Sequence, residues 1–421
     1  MIVRGFIELI HPRTVVLGMD ARPSSPALKE AAAEVFLASG VDVLDAGFCS
    51  TPLYFHSIIS AKADGGMMIT ASHNPARDNG LKICREKAIA LSGEKGGFLI
   101  RDLIVSGQLK ELESAQKGRS EKIDLLDEFV EQTLEKAELE ELKPLKVAVD
   151  AGNGMAGPEV KALFEKLPAK LTQLYFEPDC SFPNHEANPI KEETLKDLQA
   201  SVLENGADLG VAYDGDGDRI AFVDEKGKVV RGDFATALIA RELLLENPGE
   251  EIYYEVRSSK IVPESIKEAG GQPLLGKPGQ SIIKEVMRAK NILFAGELSG
   301  HYFYRQFGFA ENPLFSLALL LKMISREGKP LSELVEPLKK YFQSGEINFE
   351  VDDAGKVLAE AEKKFADGEI KKIDGVTIIY PDWWFNLRRS NTEPLVRLNL
   401  EADTRELLDE KLKEVKKVIQ N

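Results

Sequence analysis

Cysteine is scarce in this chain: Cys49, Cys84 and Cys180 are the only three in 421 residues, far apart and odd in number. No C-x-x-C pair suggests zinc and no even set suggests a disulfide framework, so a reducing cytoplasm is the expected setting. Long apolar runs are missing too. The longest, around 314–321, falls far short of the ~20 residues that span a bilayer, so no membrane partner is expected. Met1-Ile2-Val3-Arg4-Gly5 lacks a signal peptide's apolar core and cleavage site. Positive charge is in deficit. Lys plus Arg number 54 against 69 Asp plus Glu, a net charge of −15, which argues against nucleic acid as a general partner. Such a chain can still bind an anion by gathering its cations in one place.

What is present is an ordinary globular composition, 43% hydrophobic and 29% charged, long enough for roughly three domains at ~150 residues each. The opening pattern is a strand at 14–17, a loop at 18–26 with Arg22, Ser24 and Ser25, a helix at 27–39 and a strand at 41–44. This alternation predicts an α/β layer. Residues 118–120 read as a linker, followed by a helix over 124–137 and a strand at 146–149 ending in Asp150-Ala151-Gly152-Asn153-Gly154. The two starts look alike and hint at a repeated unit. Helix 192–203 and strand 208–213 follow. A third unit opens near Arg231 and closes with helices at 313–324 and 331–341. From 345 the texture changes to strands at 347–350, 376–380 and 395–400 between charged helices at 354–365 and 404–419, a small α+β domain.

The most informative stretch is Asp214-Gly215-Asp216-Gly217-Asp218-Arg219. Carboxylates at every second position, spaced by glycines, can converge on one hard cation. An all-oxygen donor set suits Mg²⁺ or Ca²⁺ and not zinc. An EF-hand requires Gly at its sixth position and helical flanks; here Arg219 takes that place and both flanks read as strands. Three protein oxygens leave a magnesium ion open positions for phosphate or water, and Arg219 offers a fork matched to phosphate. Upstream, Met67-Met68-Ile69-Thr70-Ala71-Ser72-His73-Asn74-Pro75 reads as a strand end breaking into a turn with Ser72 at its tip. Downstream, Gly296-Glu297-Leu298-Ser299-Gly300-His301 offers groups suited to sugar hydroxyls, and Arg388-Arg389-Ser390-Asn391-Thr392-Glu393-Pro394 can form an anion nest.

In this order, T-A-S-H-N-P, D-G-D-G-D-R, G-E-x-S-G-H and R-x-S-N-T-E-P resemble the α-D-phosphohexomutase family over essentially the whole chain, most closely its phosphomannomutase/phosphoglucomutase members. The resemblance implies three related α/β domains with mixed sheets plus a smaller C-terminal α+β domain around a central cleft, here 1–118, 119–229, 230–343 and 344–421. It implies interconversion of hexose 1-phosphate and hexose 6-phosphate through a phosphoserine and a hexose 1,6-bisphosphate that is both intermediate and activator. Ser72 would carry the phosphoryl group, and Asp214, Asp216 and Asp218, with Ser72, would hold Mg²⁺. Lys82 and Arg219 match active-site cations, and His301 is the candidate for proton transfer. Glu297, Ser299 and His301, with Arg257, Lys277 and Gln280, would contact the sugar phosphate. Arg388, Ser390, Asn391 and Thr392 would grip the non-reacting phosphate.

Four departures bear on this. The family's opening Y-D-I-R-G is matched only by Ile2-Val3-Arg4-Gly5, which makes Arg4 the matching arginine and predicts that part of the usual first helix is missing. Gln280 stands where His is common and Arg257 where Lys is common; Ala310-Glu311-Asn312-Pro313 replaces a usual D-D-G-I. These put the sugar in question more than the phosphoryl chemistry. Phosphoglucosamine mutase, whose sugar loop more often reads G-E-Q-S-G-H, and a sugar-phosphate-binding regulator with impaired turnover are the alternatives.

Overall fold

Val3, Phe6 and Ile7 recur at the i, i+3, i+4 spacing of one helix face, and Ile2–Ile10 is indeed a helix with those three buried. The residues matched to the family's opening stretch thus lie inside the first helix. Its apolar face packs edge-on against Phe36, and Gly5 abuts Ile100. The computed structural model describes residues 1–109, 114, 116–139, 142–390 and 394–420. They form two units, Met1–Arg231 with Ser299–Ser332, and Gly232–Leu298 with Glu333–Asn421.

The first unit contains two sheets of similar design. One orders strands Ile89–Ala90, Leu81–Arg85, Gly65–Ile69, Thr14–Met19, Asp42–Phe48 and Ser120–Lys122. Thr14–Met19 is parallel to both neighbours, and its Val15, Val16 and Leu17 are fully buried, as a strand covered on both faces requires. Leu81–Arg85 turns back antiparallel to Gly65–Ile69. The other sheet orders Val229–Val230, Ile220–Asp224, Leu209–Tyr213, Lys146–Asp150 and Lys170–Leu174. Lys146–Asp150 is again parallel to both neighbours, and Ile220–Asp224 again turns back on Leu209–Tyr213. The repeated start legible in the sequence thus extends to a repeated sheet plan.

The second unit has parallel strands Gln272–Gly276, Glu251–Glu255 and Phe294–Gly296, with helices Gly232–Glu246, Ile261–Glu268 and Gln280–Lys290. It also holds an antiparallel sheet ordered Phe342–Gln343, Leu395–Ala402, Trp383–Arg389, Val376–Ile379 and Glu369–Lys371, with Ile347–Glu350 also paired to Leu395–Ala402. Helices Ala354–Lys364 and Arg405–Ile419 contribute to its core, where Trp383 stacks on Phe385 and Phe365 meets both rings edge-on.

Two local expectations differ. The linker at 118–120 leads directly into an edge strand: Ser120–Lys122 pairs with Asp42–Phe48, and Gly118 lies so close to the Val41 carbonyl that a side chain would collide with it. The helix expected over 331–341 stops early, as Leu331–Val335 followed by a 3₁₀ turn at Glu336–Leu338. Pro337 has no N–H to extend the ladder. Among the described residues no helix is long and apolar enough to cross a membrane.

Candidate active site

Ser72 follows the buried strand Gly65–Ile69 in a left-handed conformation, φ +51°. That backbone costs a non-glycine residue roughly 1–2 kcal/mol, so neighbouring groups must hold it. Thr70 Oγ1 accepts the Ser72 N–H at 2.9 Å. Arg22, only 1% exposed, does more. Its guanidinium donates to the carbonyls of Ser72 (2.7 Å), Asn74 (2.8 Å), Pro75 (2.7 Å) and Asp78 (2.9 Å). Its Nε donates to Asp20 Oδ2 at 3.0 Å. A rigid five-donor fork can satisfy so many acceptors at once where a lysine cannot.

The Ser72 hydroxyl donates to Asp214 Oδ2 at 2.8 Å, which joins this loop to the acidic one. Asp214, Asp216 and Asp218 are fully buried, with carboxylate oxygens within 4.8 Å of one another. The two glycines serve different ends. Gly217 has φ +71°, and a Cβ on Gly215 would stand 2.6 Å from the Ser72 carbonyl. Asp214 Oδ1 accepts the N–H groups of Asp218 and Arg219 at 3.0 and 3.1 Å. Lys82 reaches Asp216 Oδ2 and Asp218 Oδ2, each at 2.5 Å, and Thr51 Oγ1 donates to Asp216 Oδ2 at 2.5 Å.

These contacts set the charges. Burial, then Asp218 and Asp216, push Asp214 well above the carboxylate range. At Asp218 burial pulls the same way but is outweighed by Lys82, His301 and Arg219, which hold it low. Burial likewise opposes the Lys82 ammonium, and Asp216 and Asp218 outweigh it, so Lys82 stays charged. Asp216 Oδ1 is buried and has no hydrogen-bond partner among the described residues. A spare buried carboxylate oxygen beside two further carboxyl groups is the donor set a hard cation takes, so the residues fit the Mg²⁺ that the resemblance implies.

Arg219 and His301 meet beside this loop. Ile220 N–H donates to the Gly300 carbonyl at 3.0 Å, pinning the His301 turn to the strand that follows the acidic loop. Arg219 Nε donates to His301 Nε2 at 2.9 Å, so the proton of a neutral His301 lies on Nδ1, which faces the Asp218 carbonyl at 3.3 Å and Glu311 Oε1 at 3.9 Å. Burial, then Arg219, lowers His73 to about 4.

The other expected residues are placed as follows. Glu297 is buried and accepts the Gly279 N–H at 2.9 Å, with Arg257 Nη2 3.8 Å away. Burial opposes the Arg257 charge, and Glu255, 2.7 Å away, outweighs it together with Glu297 and Glu346. Lys277 is exposed, and its carbonyl accepts the Tyr253 hydroxyl at 2.7 Å; Gln280 opens the helix Gln280–Lys290. Ser299 is half-buried. Arg388 donates to Glu346 at 2.7 Å, and the Ser390 N–H donates to the Leu395 carbonyl. Asn391 and Thr392 lie outside the described residues. Arg4 is exposed on its helix, away from the buried face. From the sequence Arg22 was no more than a loop residue, and Thr51, Glu255 and Glu346 carried no site role. Asp20-x-Arg22 directly after a buried strand was the available signal for Arg22, as Glu255-x-Arg257 was for Glu255; Thr51 and Glu346 have partners distant in sequence.

The chain matches known proteins over nearly its whole length. Residues 1–105, 127–227 and 231–341 match the phosphoglucomutase/phosphomannomutase alpha/beta/alpha domains I, II and III, and 346–418 match the C-terminal domain. The chain is 39% identical over 393 residues to the "phosphohexose mutases" of Xanthomonas campestris pv. campestris (strain B100), covering 92% of this chain and 87% of that one. It is 38% identical over 408 residues to a phosphomannomutase of Methanocaldococcus jannaschii, covering 97% and 90%. A crystal structure of a phosphoglucomutase/phosphomannomutase family protein from Burkholderia thailandensis superposes with TM-score 0.89 at 32% identity, over 100% of this chain and 92% of that one.

Proposed function

Because the chain belongs to the phosphoglucomutase/phosphomannomutase family of phosphotransferase mutases, we propose that it interconverts the 1- and 6-phosphates of mannose, glucose or both. The route is a phosphoserine at Ser72 and a hexose 1,6-bisphosphate intermediate. The observation that carries this reading is the 2.8 Å bond from the Ser72 hydroxyl to Asp214 of the buried acidic loop. A serine held there in a strained turn would pass a phosphoryl group across a cation site.

Asp214, Asp216 and Asp218 would hold Mg²⁺, which when bound neutralises charge on the phosphoryl oxygens. The rest is the work of side chains. A serine phosphomonoester is persistent, since its uncatalysed hydrolysis is among the slowest reactions known, so Ser72 can store the group until a sugar hydroxyl is aligned. That hydroxyl oxygen attacks phosphorus, the bond from phosphorus to Ser72 Oγ breaks, the hydroxyl proton leaves to a base, and Ser72 Oγ takes up a proton from solvent to become a hydroxyl again. Lys82, kept charged by two carboxylates, stabilises the transferring group as a donor and does not take that proton. His301 is assigned it, at the Nε2 that Arg219 now occupies. Glu297, Ser299 and Gln280 orient the sugar; Arg388 and Ser390, with Asn391 and Thr392, grip the phosphate that is not reacting. In the return step the other phosphate of the bisphosphate meets Ser72. A cytoplasmic setting completes the reading, in keeping with three buried free cysteines.

A coupled assay with Mg²⁺ and a trace of hexose 1,6-bisphosphate tests it, with the 1-phosphates of glucose, mannose and glucosamine as separate arms. Conversion of mannose or glucose 1-phosphate is expected. Turnover confined to glucosamine 1-phosphate would reassign the sugar, and phosphorylated protein that converts none of the three would overturn the proposal.

A further inference from the structure

Arg388 and Arg397 stand directly opposite each other on the antiparallel strands Trp383–Arg389 and Leu395–Ala402. Like charges in that relation destabilise a sheet unless an anion bridges them. Here the anion is built in. Glu346 Oε2 accepts from Arg388 Nη2 at 2.7 Å, and its Oε1 accepts from Arg397 Nη1 at 3.3 Å. Asn399 Nδ2 lies 3.5 Å and Arg257 Nη1 3.8 Å from the same carboxylate.

Backbone geometry delivers Glu346 to this place. Gln343 pairs with Glu401 and Ile347 with Leu398, so three residues, 344–346, span the two partners 399–400. That is a β-bulge, a device that re-aims a side chain beside a site, and Gly345 at φ +67° makes the turn. The charge state follows. Burial would raise the Glu346 carboxyl, but Arg388, Arg257 and Arg397 outweigh it and keep it an anion at neutral pH. The cations are not exhausted by it: Arg388 Nε is buried with no hydrogen-bond partner among the described residues.

We propose that Glu346 is a resident stand-in for the substrate's non-reacting phosphate, which binds by displacing this carboxylate from the Arg388–Arg397 pair. The proposal rests on the reading of Arg388 as part of the phosphate clamp. It gives the clamp a property the reaction needs. A bisphosphate intermediate must let go and exchange its two ends, and a phosphate held by paired arginines with no competitor would leave slowly. A carboxylate tethered beside them takes the arginines back as the phosphate departs. Glu346 therefore sets clamp affinity without touching the reacting atoms.

The test uses the full chain and inorganic phosphate, titrated calorimetrically in chelator-containing buffer so that the acidic loop holds no cation. Glu346→Gln keeps the shape and removes the charge, and phosphate is expected to bind it about tenfold more tightly than wild type. In turnover the same variant is expected to show a lower KM together with a lower kcat, a split that mere loosening of the sheet does not produce. Glu346→Asp, one methylene shorter, provides a second variant should the first fold poorly, and is expected to fall between the two. Unchanged or weaker phosphate binding in both variants overturns the proposal and makes Glu346 an organiser of the arginines. The clamp reading is tested separately: if Arg388→Ala leaves wild-type phosphate affinity unchanged, that reading fails, and the proposal with it.

Discussion

At the scale of single residues, what holds Ser72 matters as much as Ser72 itself. Four carbonyls of its loop bond to one buried guanidinium, that of Arg22. Arg22→Lys keeps the charge but cannot reproduce the fork, so kcat should fall by roughly 10²-fold, the usual cost of a small misplacement of a reacting group. Steady-state kinetics alongside urea denaturation separates that loss from unfolding. Glu159 makes a different prediction. Burial raises its carboxyl to about 8, against the hydrogen bonds from Ser50. The folded protein therefore keeps a proton that the unfolded chain gives up near 4.5. Stability should decline as pH rises between those values and level off above about 8. Glu159→Gln should lose that decline in denaturation midpoints measured from pH 5 to 8; an unchanged slope would contradict it. Ser72 and the three aspartates were legible because residue type and spacing declare them locally. Arg22, Thr51 and Glu346 were not, since their meaning lies in partners 50, 165 and 42 positions away.

At the scale of elements, one plan is used three times. Ser72, the Asp214–Asp218 loop and the Glu297 turn each follow a strand, Gly65–Ile69, Leu209–Tyr213 and Phe294–Gly296, that pairs in parallel with a neighbour. Loops at the carboxyl ends of parallel strands are where α/β sheets present ligand groups. Alternation of strands and helices exposed this repetition in outline. It did not reveal the strands Leu81–Arg85, Lys170–Leu174 and Gln272–Gly276, which are half-buried and carry polar residues among the apolar ones. The departure at Ala310-Glu311-Asn312-Pro313 also gains a physical role. Asn312 caps the helix Pro313–Glu327 by accepting the Phe315 N–H at 3.0 Å, and its Nδ2 donates to Thr133 at 2.9 Å, all fully buried. Asn312→Ala should cost about 2 kcal/mol, a lost cap plus a lost buried hydrogen bond. Urea unfolding reads it directly, and a change below about 0.5 kcal/mol would show that the cap contributes little.

At the scale of the whole molecule, a chain of net charge −15 concentrates three buried carboxylates in one loop and cations beside it. Mg²⁺ should therefore stabilise the fold, by about 2.7 kcal/mol at a hundredfold excess over its Kd. Asp216→Asn should abolish that Mg²⁺-dependent rise in Tm, and chelation should stop turnover. The length suggested about three domains; the fourth, the C-terminal α+β part, was legible from its change of texture after 345. The edge strand Ser120–Lys122 escaped because a short, exposed strand has no periodicity to read. The account turns on whether Ser72 is a reusable phosphoryl carrier. Intact-mass measurement before and after exposure to hexose 1,6-bisphosphate, on wild type and Ser72→Ala, tests this most directly. A single phosphate adduct on wild type, exchanged on addition of hexose monophosphate and absent from the variant, is predicted; an adduct that persists in Ser72→Ala would contradict it.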